Sequence, residues 1–161
     1  LHESFGTNWR MLEMQAVIGR IQLQRMAGWT ATRTRYAEQI WAACRSHSAL
    51  HVPEVPANVQ HAHYKCYAYV RPEQLAAGWN RDRIVAAINA LGVPCYQGSC
   101  SEVYMEKAFD GTGWRPAAPL PTAHALGTTS VMFLVHPTLT QAEVDTTCTA
   151  IAQVMQQATA A

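Results

Sequence analysis

Apolar and polar positions along this chain fall into a few periodic blocks. In the first, at about 100° per residue, Glu13, Arg20 and Gln24 share one narrow polar stripe, and Gln15 and Gln22 share a smaller one. Met11, Leu12, Met14, Val17, Ile18, Ile21, Leu23 and Met26 take most of the remaining circumference. A helix this widely apolar normally lies inside something larger than one thin domain, so some of its packing partners are expected outside this chain. Beyond Gly28 the pattern narrows to a single stripe of Trp29, Tyr36, Ile40 and Cys44, with Arg33, Arg35, Glu38 and Gln39 between. That predicts a surface helix through Arg45, with Gly28 marking a kink between the two halves.

The blocks that follow are shorter. Two prolines in residues 50–58 predict an extended connector. Cys66, Ala68 and Val70 alternate with Lys65, Tyr67 and Tyr69, which predicts a strand over 63–71 with both faces partly covered. Asn80 is placed as the N-cap of a helix whose buried face is Ile84, Ala87, Ile88 and Leu91, stopped by Gly92 at C′ and Pro94 beyond it. The uninterrupted run Val131–Val135 predicts a central strand. Thr140 and Glu143 form a capping box, Leu139 and Val144 a hydrophobic staple. Val144, Cys148, Ile151 and Met155 then carry one face of the last helix. The order is long helix, helix, strand, helix, irregular loop, strand, helix. This mixture suits an α+β fold, an antiparallel sheet with helices packed on one face. Two units are expected: a long kinked helical segment over residues 1–49, and an α+β domain over 50–161.

Composition changes this picture little. The 161 residues make one ordinary domain. Twelve basic against eleven acidic residues, with no basic run, argue against a nucleic-acid footprint. No apolar run approaches the ~18 residues that cross a bilayer. The opening Leu1-His2-Glu3-Ser4 has neither an initiator Met nor a charged-then-apolar leader, and reads as a fragment boundary. The five cysteines include no Cys-x-x-Cys pair, and Cys44, Cys66 and Cys148 fall on apolar faces. Reduced thiols in a cytoplasmic protein are the expectation.

Candidate chemistry is sparse. His47, His51, His61 and His63 cluster in sequence but cross the proline-rich connector without metal-ligand spacing, so solvated loop histidines are expected and no metal site. Cys95 and Cys100 are too far apart for the usual metal or redox pair. Ser101 ahead of Glu102 reads as a cap rather than a nucleophile. Trp29, Tyr36 and Trp41 read as packing residues. Asn8 reads as the N-cap of the first helix. Arg10 then falls in the first turn, where the helix dipole disfavours a cation. Such placement suits an anionic partner, or a salt bridge to Glu13 or Glu3.

Four ordered stretches carry a resemblance. They are Gly6-Thr7-Asn8-Trp9-Arg10-Met11 with Glu13-Met14-Gln15-Ala16 and Ile18-Gly19-Arg20-Ile21-Gln22-Leu23; His61–Val70; Leu91-Gly92-Val93-Pro94; and Phe133-Leu134-Val135-His136-Pro137-Thr138-Leu139-Thr140. Together they resemble the DegT/DnrJ/EryC1/StrS family of sugar aminotransferases, from the point where the large cofactor domain hands over to the C-terminal small domain. The resemblance implies a fold-type-I small domain and a pyridoxal phosphate (PLP) enzyme. Such an enzyme would move an amino group from a donor such as glutamate to a nucleotide-linked keto-sugar, working as a homodimer. It implies that Asn8 donates to the cofactor phosphate of the other subunit, that Arg10 meets the substrate diphosphate, and that the loop 95–104, with Tyr96, faces the sugar. That loop departs from the family's His-Tyr-Pro and Pro-Leu-His stretches, keeping Tyr96 but carrying cysteine and serine instead of the histidines. The cofactor chemistry needs a lysine, and the family's lies in Ser-x-x-x-Lys. Lys65 and Lys107 do not fit, because His61 and Val103 stand four before them. No catalytic residue is therefore assigned here, and the lysine is expected upstream of Leu1. A different class of reading is a non-catalytic dimerisation module that uses the apolar face of residues 11–26.

Overall fold

In the computed structural model, which describes residues 9–159, the first helix (α1, Glu13–Arg45) runs through 33 residues as one element. At ~1.5 Å per residue it is about 50 Å long. Its two halves live in different environments. Tyr36, Ala37, Ile40, Trp41 and Cys44 are buried in the core, whereas none of residues 9–28 is buried and the apolar side chains from Met11 to Met26 stand exposed. The helix does not stop at Gly28, and Trp29 stays at the margin of the core rather than in it. It also begins later than Asn8. Leu12 is the residue before its first turn, and the Leu12 N–H donates to Gln15 Oε1 at 2.9 Å. Gln15 thus supplies from inside the helix the cap that the sequence reading gave to Asn8, and Arg10 precedes the first turn instead of occupying it.

A four-stranded antiparallel sheet lies against the inner half of α1. Its strands are β1 (Leu50–His51), β2 (Cys66–Val70), β3 (Cys95–Tyr96) and β4 (Ser130–Phe133), in the order β1-β2-β4-β3. The run at 131–135 does supply a central strand, with Cys66 opposite Phe133 on one side and Cys95 opposite Phe133 on the other. Alternation decides the faces. Cys66, Ala68, Val70, Val131, Phe133 and Cys95 enter the core shared with α1, α2 (Arg81–Ala90) and α4 (Gln141–Ala158). Tyr67, Tyr69, Met132 and Tyr96 face the other way.

Caps behave as their residue types dictate. Asn80 accepts from the Arg83 N–H at 2.9 Å, and Thr140 and Glu143 exchange bonds across the first turn of α4. Leu91, expected on the buried face of α2, is 41% exposed because α2 ends at Ala90 and Gly92 turns the chain at φ +80°. Asn89 does something its sequence position did not announce. Its side chain donates to the Val85 and Cys95 carbonyls at 2.8 and 2.7 Å and accepts from the Cys95 N–H at 3.1 Å, clamping β3 to α2. The expected connector at 50–58 contributes β1 at its start. The expected irregular loop contains β3 and a nine-residue helix, α3 (Pro121–Thr129), which opens on its proline.

Candidate substrate-facing site

The loop after β3 is held in place by side chains from three elements. Arg81, at the start of α2, donates through Nη1 to the Gly127 and Ser130 carbonyls at 3.0 and 2.9 Å, and through Nε to Asp82 at 2.6 Å. Asp82 accepts from Gln97 Nε2 at 2.8 Å, and Ser130 Oγ donates to the Gln97 carbonyl at 2.5 Å. Gly98 lies across the Tyr67 ring. Its φ of +99° suits glycine, and a Cβ there would come within 2.7 Å of Tyr67 Cε1. Ser101 packs directly on Gly127, leaving no room for a side chain there. This seat, rather than the capping role expected of it, is what Ser101 occupies: the turn Val103–Met105 that follows has no side-chain cap.

The loop forms an open cavity of about 430 Å³, lined by Gln97, Ser99, Cys100, Ser101, Glu102 and Glu106 among others, with Gly127 of α3 at its edge. Glu102 accepts from the Tyr104 hydroxyl at 2.7 Å and from His124 Nδ1 at 3.0 Å. These bonds, the tyrosine's first, hold its carboxyl below the usual range, so it stays ionised, and the same contact raises Tyr104. The Cys100 thiol donates to Glu106 Oε1 at 3.1 Å, which raises its pKa. Cys100 is therefore held as a thiol and not as an activated nucleophile. Two serines, an amide and two carboxylates suit a ligand rich in hydroxyl groups.

Of the residues singled out by sequence, Asn8 lies outside the described residues. Arg10 is exposed on the segment ahead of α1, and Tyr96 is 49% exposed on β3 opposite Met132; neither lines the cavity. His63 was expected in solvent but is buried against Trp41, ring centroids 5.1 Å apart, with a backbone φ of +46°. Its backbone N–H donates to His61 Nδ1 at 2.9 Å, which folds the turn inward. Burial, then the neighbouring His61, lowers the pKa of His63, with Glu38 opposing. Among the described residues no group of three or more His, Cys, Asp or Glu side chains is placed to hold a metal ion. Sequence reasoning missed Arg81, Asp82, Glu102 and His124. Arg81 and Asp82 look like ordinary first-turn residues; the return of α3 brings Gly127 to Arg81 and His124 to Glu102, and the loop itself brings Gln97 to Asp82.

A family model for the DegT/DnrJ/EryC1/StrS aminotransferase family matches residues 1–152. The chain belongs to that family. Among solved structures, the aminotransferase from Psychrobacter cryohalolentis is 57% identical, with a TM-score of 0.88 over 97% of this chain and 42% of its own. DesV of S. venezuelae, solved with a ketimine intermediate, is 20% identical with a TM-score of 0.78 over 97% of this chain and 40% of its own. The 3-amino-5-hydroxybenzoic acid synthase is 19% identical with a TM-score of 0.73, and 42% of its chain is covered. These last two establish the shared fold. No curated protein matches. The chain thus spans about two-fifths of the solved family structures it matches.

PLP, the cofactor the family resemblance implies, requires a lysine amine and an acidic partner for its ring nitrogen. Lys65 Nζ instead donates to Ser99 Oγ at 3.4 Å and lies 5.7 Å from the Tyr64 ring centroid. Lys107 is exposed at the cavity rim, in the turn Lys107–Phe109. Neither amine forms an ion pair with a carboxylate among the described residues.

Proposed function

We propose that this chain is the C-terminal portion of a PLP-dependent aminotransferase that moves an amino group from an amino-acid donor, glutamate, to a nucleotide-linked keto-sugar. The setting would be cell-surface polysaccharide or secondary-metabolite biosynthesis in the cytoplasm. The observation that carries this reading is the 57% identity to an aminotransferase over 97% of the chain. The exposed apolar side chains of residues 11–26 agree with it, since they await a partner that this chain does not supply. In this reading residues 1–49 bridge to a large domain that holds the Schiff-base lysine, and residues 50–161 form the small domain. Within a homodimer Asn8 donates to the cofactor phosphate of the other subunit, Arg10 meets the substrate diphosphate, and Tyr96 with the 97–107 cavity receives the sugar.

The test compares two proteins mixed with PLP and then treated with borohydride. The full-length enzyme is expected to acquire a visible absorption that borohydride fixes covalently, and to transfer its amino group when given glutamate. The present chain alone is expected to show neither. A borohydride-fixed adduct mapped by mass spectrometry to Lys65 or Lys107 defeats the assignment. A full-length protein that dimerises but never binds PLP favours the non-catalytic module.

A further inference from the structure

The turn that leads into β2 is folded inward by two histidines. His63 is 3% exposed, and among the described residues it alone, glycines aside, has a positive φ, +46°. A histidine in that left-handed region is uncommon and stays there only where its surroundings hold it. Two contacts do so. Its backbone N–H donates to His61 Nδ1 at 2.9 Å, and its ring meets the Trp41 ring of α1 with centroids 5.1 Å apart. Both contacts favour neutral imidazoles. His61 accepts at Nδ1 only while that nitrogen carries no proton. In a charged His63 both ring nitrogens would be donors, yet its Nδ1 is buried with no hydrogen-bonding partner among the described residues. The two imidazole centroids are 4.3 Å apart, where two positive charges repel. Just beyond the turn, Lys65 Nζ and the Tyr67 hydroxyl lie 3.4 and 3.1 Å from Ser99 Oγ, so the same stretch of chain bears on the 97–101 loop.

We propose that residues 61–63 form a proton-operated latch. With both imidazoles neutral, the turn closes on Trp41 and sets Lys65 against Ser99; protonation opens the turn and releases that contact. The charges around the pair pull in both directions. From α1, Glu38 favours the imidazolium of His63, but it is half exposed and shared with Arg45 at 3.5 Å. Arg45, 5.8 Å from the Trp41 ring centroid, opposes it. Glu54 of the connector and Lys65, with opposite charges, both line the cavity beside His61. Burial first and His61 next outweigh Glu38, and His63 is held below the ordinary histidine value. An open turn titrates near about 6.5. Closure is therefore complete above that pH and is lost as pH falls below it, by up to about tenfold per pH unit for each histidine. The latch acts on the loop whatever ligand the loop meets, and so stands apart from the activity proposed above.

Hydrogen exchange of the full-length protein near pH 7.5 and near pH 5.5, read by mass spectrometry and corrected for intrinsic rates, tests it. Peptides covering 61–65 are expected to lose about tenfold or more of their protection at the lower pH, while α4 keeps its own within about twofold. His61→Asn retains an acceptor for the N–H two residues on, and His63→Phe retains a ring against Trp41; neither replacement titrates. The double variant is expected to hold 61–65 protected to within about twofold at both pH values. NMR of the wild type supplies a second measurement that needs no variant. There the His63 ring and the Ser99 amide are expected to titrate with one midpoint, below about 6.5. The latch is overturned if 61–65 exchanges alike at both pH values, or if α4 loses protection in parallel, which would be general unfolding. It is equally overturned if a folded double variant opens as the wild type does, or if the Ser99 amide does not follow His63.

Discussion

The five cysteines differ from one another in burial. Cys44, Cys66 and Cys95 are buried, and burial pushes the first and last up to about 12 and raises Cys66 as well. Cys148 is half-buried and also raised, by burial first. Cys100 alone is exposed, and its bond to Glu106 keeps it protonated. Thiolate is the reactive species, so access and ionisation rank the five together. At pH 8, labelling of the native protein with a chromogenic disulfide should modify Cys100 first and Cys148 more slowly. Cys44, Cys66 and Cys95 should react only after unfolding. Mass mapping checks the order, and early modification of Cys66 would contradict the packing described. The sequence placed Cys44 and Cys66 on apolar faces from their spacing. It gave no such signal for Cys95, whose burial comes from pairing with β4 and from Asn89, not from any local period.

Among the elements, β3 is the one most dependent on a single side chain. Two residues of edge strand have little stability of their own, and the Asn89 side chain supplies two bonds to Cys95 where a further strand would otherwise lie, braced by its third bond to the Val85 carbonyl of α2. Asn89→Ala should cost about 2 kcal/mol, read as a lowered denaturation midpoint, because the Cys95 N–H and carbonyl lose their partners. Asn89→Asp retains an acceptor but no donor and should fall between. A change below about 0.3 kcal/mol for Asn89→Ala would show that β3 holds through β4 alone. The loss should also loosen the 97–101 loop that follows β3. The helices were more legible than the strands. Asn80, Gly92, Thr140 and Glu143 are local signals that act within one turn, and they ended or began helices where expected. The start of α1 was misplaced because Gln15, a residue inside the helix, provides the cap.

For the whole molecule, buried titratable groups set the pH window of stability. Three buried thiols have folded pKa values raised above 9, so from pH 9 upward the unfolded chain ionises while the folded one does not. Stability contributed below pH 9 is then lost toward pH 12, by up to about 1.4 kcal/mol per pH unit for each thiol. Against a total of ~5–15 kcal/mol, alkaline unfolding is expected before about pH 11. On the acid side His63 and His47 have lowered values from burial, so the unfolded chain takes up protons first as pH falls below 6.5. Stability should decline there too, leaving a plateau between the two arms. Thermal melts from pH 5 to 11 check both. A flat alkaline arm in the Cys44→Ala, Cys66→Ala and Cys95→Ala triple variant, provided it remains folded at pH 7, would assign that arm to the thiols.

Periodicity and local stop signals alone determined the long first helix apart from its start, the capped helices at 81–90 and 141–158, and a central strand around Val131–Phe133, which the structure bounds at Ser130–Phe133. The ordered motifs marked the family. These features are fixed by residues within a few positions of one another, which a linear reading sees directly. Tertiary structure decided which half of α1 is covered, how β3 is held, why His63 is buried, and which side chains close around the 97–107 cavity. Each depends on groups far apart in the chain, such as Arg81 with Ser130 or Lys65 with Ser99, that only the folded sheet brings within bonding distance.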